Sequence, residues 1–311
     1  MNILIGTRGS QLALAQAEGV RAQISRLSGV TGAKLEVVKT LGDHLSVSGV
    51  PDPLAEPPQG IFTRELDEAL LSGKIRAAIH SLKDVPTVLP VGIRYGAFLK
   101  REDPRDALIS LTGHKFFELP AGSKIGTSSP RRESQIRAIR SDLNVVPLRG
   151  NVDTRLKKMR QGDMDAIVVA AAGIRRLGLE GEITEILDKD VLLPAPAQGA
   201  LCLTIREGDE ELLTLLKFLN HFETQVCVEA ERAFLRTLQG GCRIPVGALA
   251  HLDGETLFLS GVIAQPNGEQ IMRNHGTGHV DHPKELGDNL AKSFLRNGAQ
   301  EILNGFGRSS W

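Results

Sequence analysis

The chain has 311 residues, of which 41% are hydrophobic, and its 37 Lys and Arg residues balance 37 Asp and Glu residues. Such a length indicates two or three domains, and zero net charge excludes a general attraction to nucleic acid or acidic membranes. Three cysteines are too few for a disulfide framework, and the sequence shows neither a signal peptide nor an apolar run of roughly 18 residues. We therefore expect a soluble cytoplasmic protein.

Strand and helix patterns alternate from the N-terminus onward. NILIG, KLEVVKT and AAIHS are predicted strands, and QLALAQAEGVRAQISRL and IFTRELDEALLSG are predicted helices, the first beginning after Ser10 as N-cap. Residues 41–60, between the predicted strand KLEVVKT and the predicted helix IFTRELDEALLSG, are rich in Pro and Gly and show only a weak strand or helix pattern. This stretch is interpreted either as a flexible lid or as a dispensable surface loop.

The alternation returns from Lys124. KIGTSS, NVVPLR and AIVVA are predicted strands, and PRRESQIRAIRS and NVDTRLKKMRQG are predicted helices. Repeated strand–helix units predict parallel sheets with helices on both faces. PAPAQGALCLTIR then predicts a strand that returns to the first sheet, and DEELLTLLKFLN a further helix.

The pattern changes at about residue 222. A long helix, ETQVCVEAERAFLRTL, is followed by strand pairs in ALAHLDGETLFLSGVIAQPNGEQIMR and by a final helix from about His282 to Leu303. We predict an α/β fold with two α/β domains and a smaller α+β C-terminal domain. The predicted domains are residues 1–99 with 200–219, residues 100–199, and residues 220–311.

Positive charge is concentrated in one part of the chain. Between Lys124 and Arg176 there are nine Arg and three Lys against five acidic residues. Arginine favours bidentate recognition of carboxylate or phosphate. The span contains no Phe, Tyr or Trp, whereas proteins that bind single-stranded nucleic acid use aromatic side chains for base stacking. The composition therefore favours a small polyanionic ligand.

Several of these arginines lie at predicted strand-to-helix junctions. In a doubly wound sheet such junctions line the ligand crevice, and helix N-termini there favour anions. We predict ligand binding for the junction arginines Arg131, Arg132, Arg149, Arg155, Arg175 and Arg176. Solvated helix faces are the preferred interpretation for Arg137, Arg140, Lys157, Lys158 and Arg160.

A second polar group, His80, Lys83 and Asp84, follows the strand AAIHS. Lys83 and Asp84 are either a surface ion pair of little energetic value or a site in which the carboxylate exchanges protons. His80 is interpreted as structural. The sequence has no Cys and His spacing typical of a metal site and no glycine pattern typical of a nucleotide site.

Cys242 lies in the turn LQGGCRIPVG. The two glycines clear bulk around the thiol, and Arg243 favours its thiolate form. The alternative interpretation is a small buried residue in a turn. Cys202 and Cys227 fall in strand and helix patterns and are predicted to be buried apolar residues.

A set of segments spread in order over nearly the whole chain resembles the porphobilinogen deaminase (hydroxymethylbilane synthase) family. The segments are GTRGSQLALAQ, HSLKDVPT, GTSSPRRESQ, LRGNVDTRL, AAAGIRRLGL, LPAPAQGAL and LQGGCRIPVGA. The resemblance implies two domains similar to periplasmic binding proteins that flank a cleft, and a third domain that carries the cofactor loop.

The resemblance also implies a transferase of tetrapyrrole (haem and chlorophyll) biosynthesis. Such an enzyme condenses four porphobilinogen molecules head to tail, with loss of ammonia, onto a covalently bound dipyrromethane cofactor, and water then releases linear hydroxymethylbilane. Cys242 matches the cysteine that holds the cofactor by a thioether. Porphobilinogen is the only implied partner, without nucleic acid, membrane or metal, and the implied enzyme is a cytoplasmic monomer.

Residue roles carry over by position in the matching segments. Asp84 is the implied catalytic residue. The implied cofactor-binding residues are Ser81, Lys83, Asp84, Thr127, Ser129, Arg131, Arg132 and Cys242. The implied substrate-binding residues are Arg8, Ser10, Arg149, Arg155 and Arg176.

One stretch departs from the family pattern. Gln59 stands where the family usually has a lysine, and extra prolines precede it, so the basic contacts of that loop do not carry over. Two other functions remain as alternatives: a carboxylate-binding module without enzymatic activity, and an arginine-rich nucleic-acid binder. The first gives no reason for the Cys242 turn, and the second conflicts with the zero net charge.

Overall fold

Three β-sheets organise the part of the chain described by this computed structural model, which covers residues 1–40, 60, 62–238 and 244–306. The chain forms two compact units: Met1–Glu102 with Ala200–Gln225, and Asp103–Gly199 with Val226–Trp311. It therefore passes from one unit to the other three times.

The elements alternate between strand and helix over most of the chain. The strands are β1 (Asn2–Thr7), β2 (Gly32–Val37), β3 (Ala77–Ser81), β4 (Ile93–Phe98), β5 (Asp106–Ser110), β6 (Lys124–Gly126), β7 (Asn144–Val146), β8 (Ala166–Ala170), β9 (Glu185–Ile186), β10 (Leu201–Arg206), β11 (Val246–Asp253), β12 (Thr256–Ala264) and β13 (Ile271–His279). The α-helices are α1 (Gln11–Ile24), α2 (Arg64–Leu71), α3 (Pro130–Ile139), α4 (Val152–Arg160), α5 (Ala171–Arg176), α6 (Glu210–Leu216), α7 (Phe222–Thr237), α8 (Pro283–Arg296) and α9 (Ala299–Phe306).

The sheet of the first unit has the strand order β2-β1-β3-β10-β4. β1 runs parallel to β2 and β3, whereas β10 runs antiparallel to both β3 and β4. Ile3 and Ile5 of β1 share a core with α1 residues, and Ala78 of β3 shares a core with Leu66 of α2. The inner strands β1, β3 and β10 are mostly apolar, because both of their faces are covered.

The sheet of the first part of the second unit repeats this plan, with the order β7-β6-β8-β5-β9. β6 is parallel to β7 and β8, and β5 is antiparallel to β8. Val168 and Ile136 of α3 belong to one core, and Ile167 and Leu156 of α4 belong to another. Helices therefore cover both faces here as well.

The remainder of the second unit contains the antiparallel sheet β11-β12-β13. Helices α7 and α8 share its core, where the rings of Phe234 and Phe294 meet edge to face with centroids 5.2 Å apart. An added Cβ at Gly261 would lie 2.7 Å from the Phe234 ring. The glycine therefore allows the helix to approach the sheet closely.

The predicted α/β class, with two α/β sheets and a smaller C-terminal part, is confirmed. The prediction of parallel sheets is wrong for β5 and β10, since each runs antiparallel to its neighbours. β10 does return to the first sheet, but it begins at Leu201 rather than at Pro194. Pro194 and Pro196 have no N–H group to donate to a ladder.

Other differences have local causes. The predicted final helix is two helices, α8 and α9, separated by Gly298 with φ +95°.

The three-domain division and the cleft stay predictions. The proposed lid falls almost entirely on residues 41–59, which lie outside the described residues. None of the described helices is both long and apolar enough to span a membrane.

Candidate active site

The first polar group lies at one edge of the first sheet. β1 and β3 are parallel neighbours, with Gly6 opposite Ala78, so their carboxyl ends meet at the same edge. Arg8 and Ser10 follow β1 directly. Lys83 and Asp84 follow β3 on the short 3-10 helix Leu82–Asp84. The fold therefore brings these sequence-predicted site residues to one place.

Asp84 is half-buried, and its carboxylate has neither a hydrogen-bond partner nor an ion-pair partner among the described residues. The surface ion pair between Lys83 and Asp84, one of the two interpretations of this group, is not formed. The carboxylate is consequently available to a ligand, at the end of a strand where α/β proteins place their reactive groups.

Arg8 and His80 belong to the same edge. The Arg8 guanidinium lies 4.1 Å from the centroid of the Phe62 ring, a cation–π contact. His80 is buried in the sheet, and its Nε2 lies 3.0 Å from Thr204 Oγ1. Burial and then the charge of Arg8 lower the pKa of His80 to about 4. His80 is therefore neutral at pH 7 and part of the core, in agreement with its structural interpretation.

Two predicted ligand-binding hydroxyls have partners within the first unit. Ser10 caps α1 by accepting a hydrogen bond of 3.3 Å from Ala13 N. Ser81 Oγ donates to Gln16 Oε1 at 3.2 Å. Ser10 keeps its O–H group for a ligand, whereas Ser81 uses its O–H group on Gln16 and keeps only its acceptor lone pairs.

The second polar group lies at the carboxyl ends of β6, β7 and β8, which are parallel neighbours. Thr127 follows β6, and its Oγ1 accepts a hydrogen bond of 3.2 Å from Ser129 N. Ser129 is at the N-cap position of α3, but its side chain makes no capping bond. The N-terminus of α3 is thus not capped by Ser129, and such a terminus favours an anion.

Arg131 and Arg132, in the first turn of α3, share one buried carboxylate. Arg131 Nη1 donates to Asp106 Oδ2 at 2.7 Å, and Arg132 Nη2 donates to Asp106 Oδ1 at 2.7 Å. All three side chains are almost fully buried. Burial acts to raise the pKa of Asp106, but the two arginines outweigh it and hold that pKa far below its usual range. Asp106 is therefore ionised.

A third arginine, Arg155 of α4, adds to this positive charge. Its Nε donates to Gly150 O at 2.8 Å, and burial together with the charge of Arg132 lowers the pKa of Arg155 to about 10. Arg131, Arg132 and Arg155, hereafter the arginine cluster, thus outnumber the single carboxylate of Asp106. Arg131 Nε is also buried without a hydrogen-bond partner among the described residues.

This charge excess decides what the cluster can hold. Two like charges 4 Å apart repel by about 4 kcal/mol at an effective dielectric constant of about 20, so buried arginines in excess of carboxylates favour an anion. An unpaired buried N–H group likewise favours a hydrogen-bond acceptor. A ligand that carries several carboxylates, such as a dipyrromethane with acetate and propionate side chains, fits the arginine cluster.

The remaining junction arginines differ from one another. Arg149 is exposed and lies three residues beyond the end of β7. Arg176 Nη2 donates to Gly199 O at 2.6 Å, and Arg175 pairs with Asp103 at 3.4 Å. Arg175 therefore has a carboxylate partner within the protein, and Arg176 is held by a backbone oxygen of the segment that precedes β10.

The solvated interpretation is wrong for Arg140. Its side chain is only 15% exposed. It donates to Phe116 O at 2.9 Å and to Leu119 O at 2.7 Å, and it pairs with Asp142 at 2.7 Å. Arg140 therefore holds together two segments of the second unit.

Two polar residues that sequence reasoning missed are Asp106 and Gln198. Asp106 is the first residue of β5, in the apolar run DALIS, and Gln198 Nε2 donates to its Oδ1 at 2.8 Å. A carboxylate at the start of a buried strand is a signal, because such a group must be paired. Its partners, however, are far away in sequence.

Two of the three cysteines lie among the described residues. Cys202 and Cys227 are buried, as predicted. Cys242 lies outside the described residues, so its predicted role stays a prediction. No group of three or more metal-ligating side chains occurs in the described parts of the chain.

Comparison with known proteins identifies the family. Residues 3–214 match the model of the dipyrromethane cofactor binding domain of porphobilinogen deaminase, and residues 225–296 match that of its C-terminal domain. The porphobilinogen deaminase of Carboxydothermus hydrogenoformans is 44% identical over 97% of this chain and 96% of its own length. That of Roseiflexus sp. (strain RS-1) is 46% identical over 97% of this chain and 99% of its own length.

Similar solved structures are more distant. A putative methionine-binding lipoprotein from Bacillus subtilis covers 71% of this chain and 90% of its own at 11% identity and a TM-score of 0.41. An ancestral arginine-binding protein covers 70% of this chain and 90% of its own at 14% identity and a TM-score of 0.35. From the family models and the relatives at 44 and 46% identity, we conclude that the chain belongs to the porphobilinogen deaminase family, transferases of tetrapyrrole biosynthesis with a dipyrromethane cofactor.

Proposed function

We propose that this chain performs the family reaction, the stepwise condensation of four porphobilinogen molecules with loss of ammonia and hydrolytic release of hydroxymethylbilane, with Asp84 as its catalytic carboxylate. The observation that carries the site assignment is the arginine cluster, in which Arg131 and Arg132 share the carboxylate of Asp106 and Arg155 adds a third positive charge. A polycarboxylate substrate needs such a charge excess.

The proposed cofactor site uses the residues that fit a polyanion. Arg131, Arg132 and Ser129 bind carboxylates of the dipyrromethane, together with Lys83 and Thr127. Ser81 offers an acceptor oxygen to the same group, and Cys242 is its covalent anchor. When bound, this group supplies the pyrrole carbon to which the first substrate is joined. Arg131 Nε, buried without a partner among the described residues, supports the assignment.

Asp84 acts on the substrate. As ammonia leaves the aminomethyl group of porphobilinogen, positive charge develops on the pyrrole, and a carboxylate beside the ring stabilises that charge. Asp84 is then positioned to accept the proton that the attacked ring carbon loses. The lack of a partner for its carboxylate among the described residues supports this role, since an existing ion pair would have to break first.

The remaining arginines bind the incoming substrate and the growing chain. Arg8 and Arg149 follow the carboxyl ends of β1 and β7, and Arg155 and Arg176 lie on α4 and α5, the helices that follow β7 and β8. Each pyrrole unit brings an acetate and a propionate, so every addition requires further cationic partners. Ser10 serves the same substrate while it caps α1.

Two measurements on one preparation test the proposal. Intact mass spectrometry should find the wild-type protein heavier than its sequence by one dipyrromethane, and an assay of ammonia release from porphobilinogen should find activity. Cys242→Ala should lose both while Cys227→Ala, a control at a buried cysteine, keeps both. A fully active wild-type protein with no adduct would contradict the cofactor assignment. A protein with neither adduct nor activity would favour the carboxylate-binding module.

We also propose that the enzyme is a cytoplasmic monomer. Light scattering after size-exclusion chromatography should give a molar mass near the chain mass of 33.6 kDa. A mass of twice that value, independent of protein concentration, would contradict the monomer. Fractionation of the source cells tests the compartment.

A further inference from the structure

We infer that Asp106 is a positioning residue for the reaction: it orients Arg131 and Arg132 and sets the net charge that the arginine cluster presents to carboxylates. The inference rests on the proposed function, because it assumes that these arginines bind cofactor carboxylates. Asp106 itself is completely buried, so it would act on a ligand only through the two arginines.

The geometry shows how Asp106 selects the donors that remain for a ligand. Its two oxygens accept from Arg131 Nη1 and Nη2 at 2.7 and 3.3 Å. Oδ1 also accepts from Arg132 Nε and Nη2 at 3.1 and 2.7 Å. Arg131 Nε and Arg132 Nη1 remain without a partner among the described residues. Asp106, with Leu193 O as a further acceptor for Arg131 Nη1, thus occupies one side of each guanidinium group, and Arg131 Nε and Arg132 Nη1 are left for carboxylates.

Asp106 also sets the charge balance of the arginine cluster. Arg131, Arg132 and Arg155 carry three positive charges, and Asp106 is the acidic residue that pairs with the first two. With Asp106 ionised, the four groups carry a net charge of about +2, which suits two carboxylates. Without this charge, the buried guanidinium groups would repel one another and turn away from the geometry described.

Asp106 is held in place from a second direction. Gln198 Nε2 donates to Asp106 Oδ1 at 2.8 Å and to Pro104 O at 2.7 Å. The neighbouring Ala197 N donates to Glu231 Oε2 at 2.6 Å, and Glu231 Oε1 accepts from Ala250 N at 2.8 Å. α7 and β11 thereby fix the segment that carries Gln198, and Gln198 fixes the carboxylate.

The experiment compares four variants of the full-length protein. Asp106→Asn removes the charge at constant size, and Asp106→Glu keeps the charge but displaces it. Gln198→Met removes the hydrogen bond from the third residue that donates to Asp106, without changing any charge. Asp142→Asn is the matched control, because it also breaks a two-bond pair with an arginine of the second unit, Arg140, outside the arginine cluster. For each variant we would measure the fraction with a covalent pyrrole adduct by intact mass, stability by urea unfolding, and kcat and KM for porphobilinogen.

We expect Asp106→Asn to carry less than about a tenth of the wild-type adduct. In its adduct-bearing fraction, KM should rise about tenfold or more while kcat changes less than about threefold, because Asp84 is untouched. Asp106→Glu should restore part of the adduct, and Gln198→Met should raise KM about threefold. Asp142→Asn should be less stable to urea than the wild type, but its adduct fraction and its KM should equal those of the wild type.

Two results would overturn the inference. The first is a folded Asp106→Asn protein with full adduct and unchanged KM. The second, which applies if Asp106→Asn does not fold, is wild-type adduct and KM in both Asp106→Glu and Gln198→Met. Arg131→Leu and Arg132→Leu separate this failure from that of the proposed function. If both arginine variants keep adduct and KM, the arginine assignment itself is wrong; if both lose them while Asp106→Asn does not, only the positioning role is wrong.

Discussion

Asp84 and Asp106 show how position determines the chemistry of a carboxylate. Asp84 follows a strand end, is half-buried and has no partner among the described residues. Asp106 begins a strand, is completely buried and accepts from Arg131, Arg132 and Gln198. A paired and buried carboxylate cannot take part in proton transfer at neutral pH, whereas one without partners can.

Substitutions at Asp84 should separate charge from size. Asp84→Glu keeps the charge but moves it by about one methylene group, and a displacement on that scale can cost on the order of 10²-fold in rate. Asp84→Asn keeps the size but loses the charge and the proton acceptor, and should be essentially inactive, since acid–base catalysis alone contributes about 10²–10⁴-fold. Ammonia release from porphobilinogen measures both.

Both Asp84 variants should fold, which urea unfolding of each purified protein would check. An Asp84→Asn enzyme that works at more than about a tenth of the wild-type rate would remove Asp84 from the mechanism. Asp163→Asn is a suitable control, because Asp163 is an exposed carboxylate outside both polar groups.

His80 should make the stability of the protein sensitive to mild acid. Its pKa in the folded protein is about 4, below the ordinary value of about 6.5. As pH falls, the unfolded chain therefore binds this proton first. The stabilisation is complete above pH 6.5 and is lost as pH falls to about 4, by up to about 3 kcal/mol. Urea unfolding at several pH values measures the slope.

His80→Gln removes the titrating group and keeps a polar partner for Thr204. Its free energy of unfolding should fall less steeply than that of the wild type between pH 6.5 and 4. His114→Gln, a substitution at an exposed histidine, should keep the wild-type slope. Equal slopes in all three proteins would show that His80 does not cause the acid sensitivity.

At the scale of elements, the segment between α5 and β10 depends on an unusual backbone conformation. Ala197 has φ +63°, in the left-handed region, which costs an alanine about 1–2 kcal/mol. Ala197→Gly removes that cost. Glycine also raises the conformational entropy of the unfolded chain, which offsets part of the gain in stability. We expect a net stabilisation of about 1 kcal/mol by urea unfolding.

Ala195→Gly is the matched control for this prediction. Ala195 lies in the same segment, and Ala197 is the one non-glycine residue with positive φ in the described residues. Glycine at position 195 should therefore destabilise the protein by about 0.5–1 kcal/mol. If both substitutions destabilise, the left-handed conformation of Ala197 carries no cost.

The elements that the sequence predicts well are those with local signals. α1 begins after its Ser10 cap, α3 begins at Pro130, and β3 and β8 are short apolar runs before polar junctions. β4 and β5 were not predicted, because their partners β10 and β8 lie far along the chain. Their antiparallel pairing has no local signal either.

The candidate site was predictable to a similar extent. The position of Asp84 and of the junction arginines just after predicted strands placed them at sheet edges without knowledge of the packing, whereas Arg8 was assigned by the family resemblance alone. Sequence position could not distinguish a solvated arginine from Arg140, which donates hydrogen bonds to the backbone oxygens of Phe116 and Leu119. It also missed Asp106, because the arginines that pair with this carboxylate lie 25 and 26 residues further along the chain.

At the scale of the molecule, zero net charge conceals the positive charge between Lys124 and Arg176. Raising the ionic strength from about 0.01 M to about 0.1 M shortens the Debye length from about 30 Å to about 10 Å. We expect KM for porphobilinogen to rise about threefold over this range, with kcat nearly constant, because screening weakens the attraction of carboxylates to exposed cations. Initial rates at a series of salt concentrations measure this.

Two exposed arginines of the second unit offer a matched comparison. Arg149 lies beyond a strand end, and Arg160 on α4 pairs with Glu182 at 2.7 Å. Arg149→Gln should raise KM and reduce its dependence on salt, whereas Arg160→Gln should behave as wild type. An equal effect of both substitutions would mean that the attraction is general rather than directed to the strand ends.

The insertion of β10 between β3 and β4 has a consequence for synthesis on the ribosome. β4 has β10 as its sheet neighbour, and the strands of the other α/β sheet, from β5 to β9, are encoded between them. At about 5–20 residues per second, the roughly 100 intervening residues take about 5–20 s to emerge. During that time the nascent chain exposes an unpaired edge on β3, and such edges invite aggregation. The sheet β7-β6-β8-β5-β9 can therefore form completely before the sheet β2-β1-β3-β10-β4, whose first strands are synthesised earlier. A chaperone that shields β3 would act in this interval.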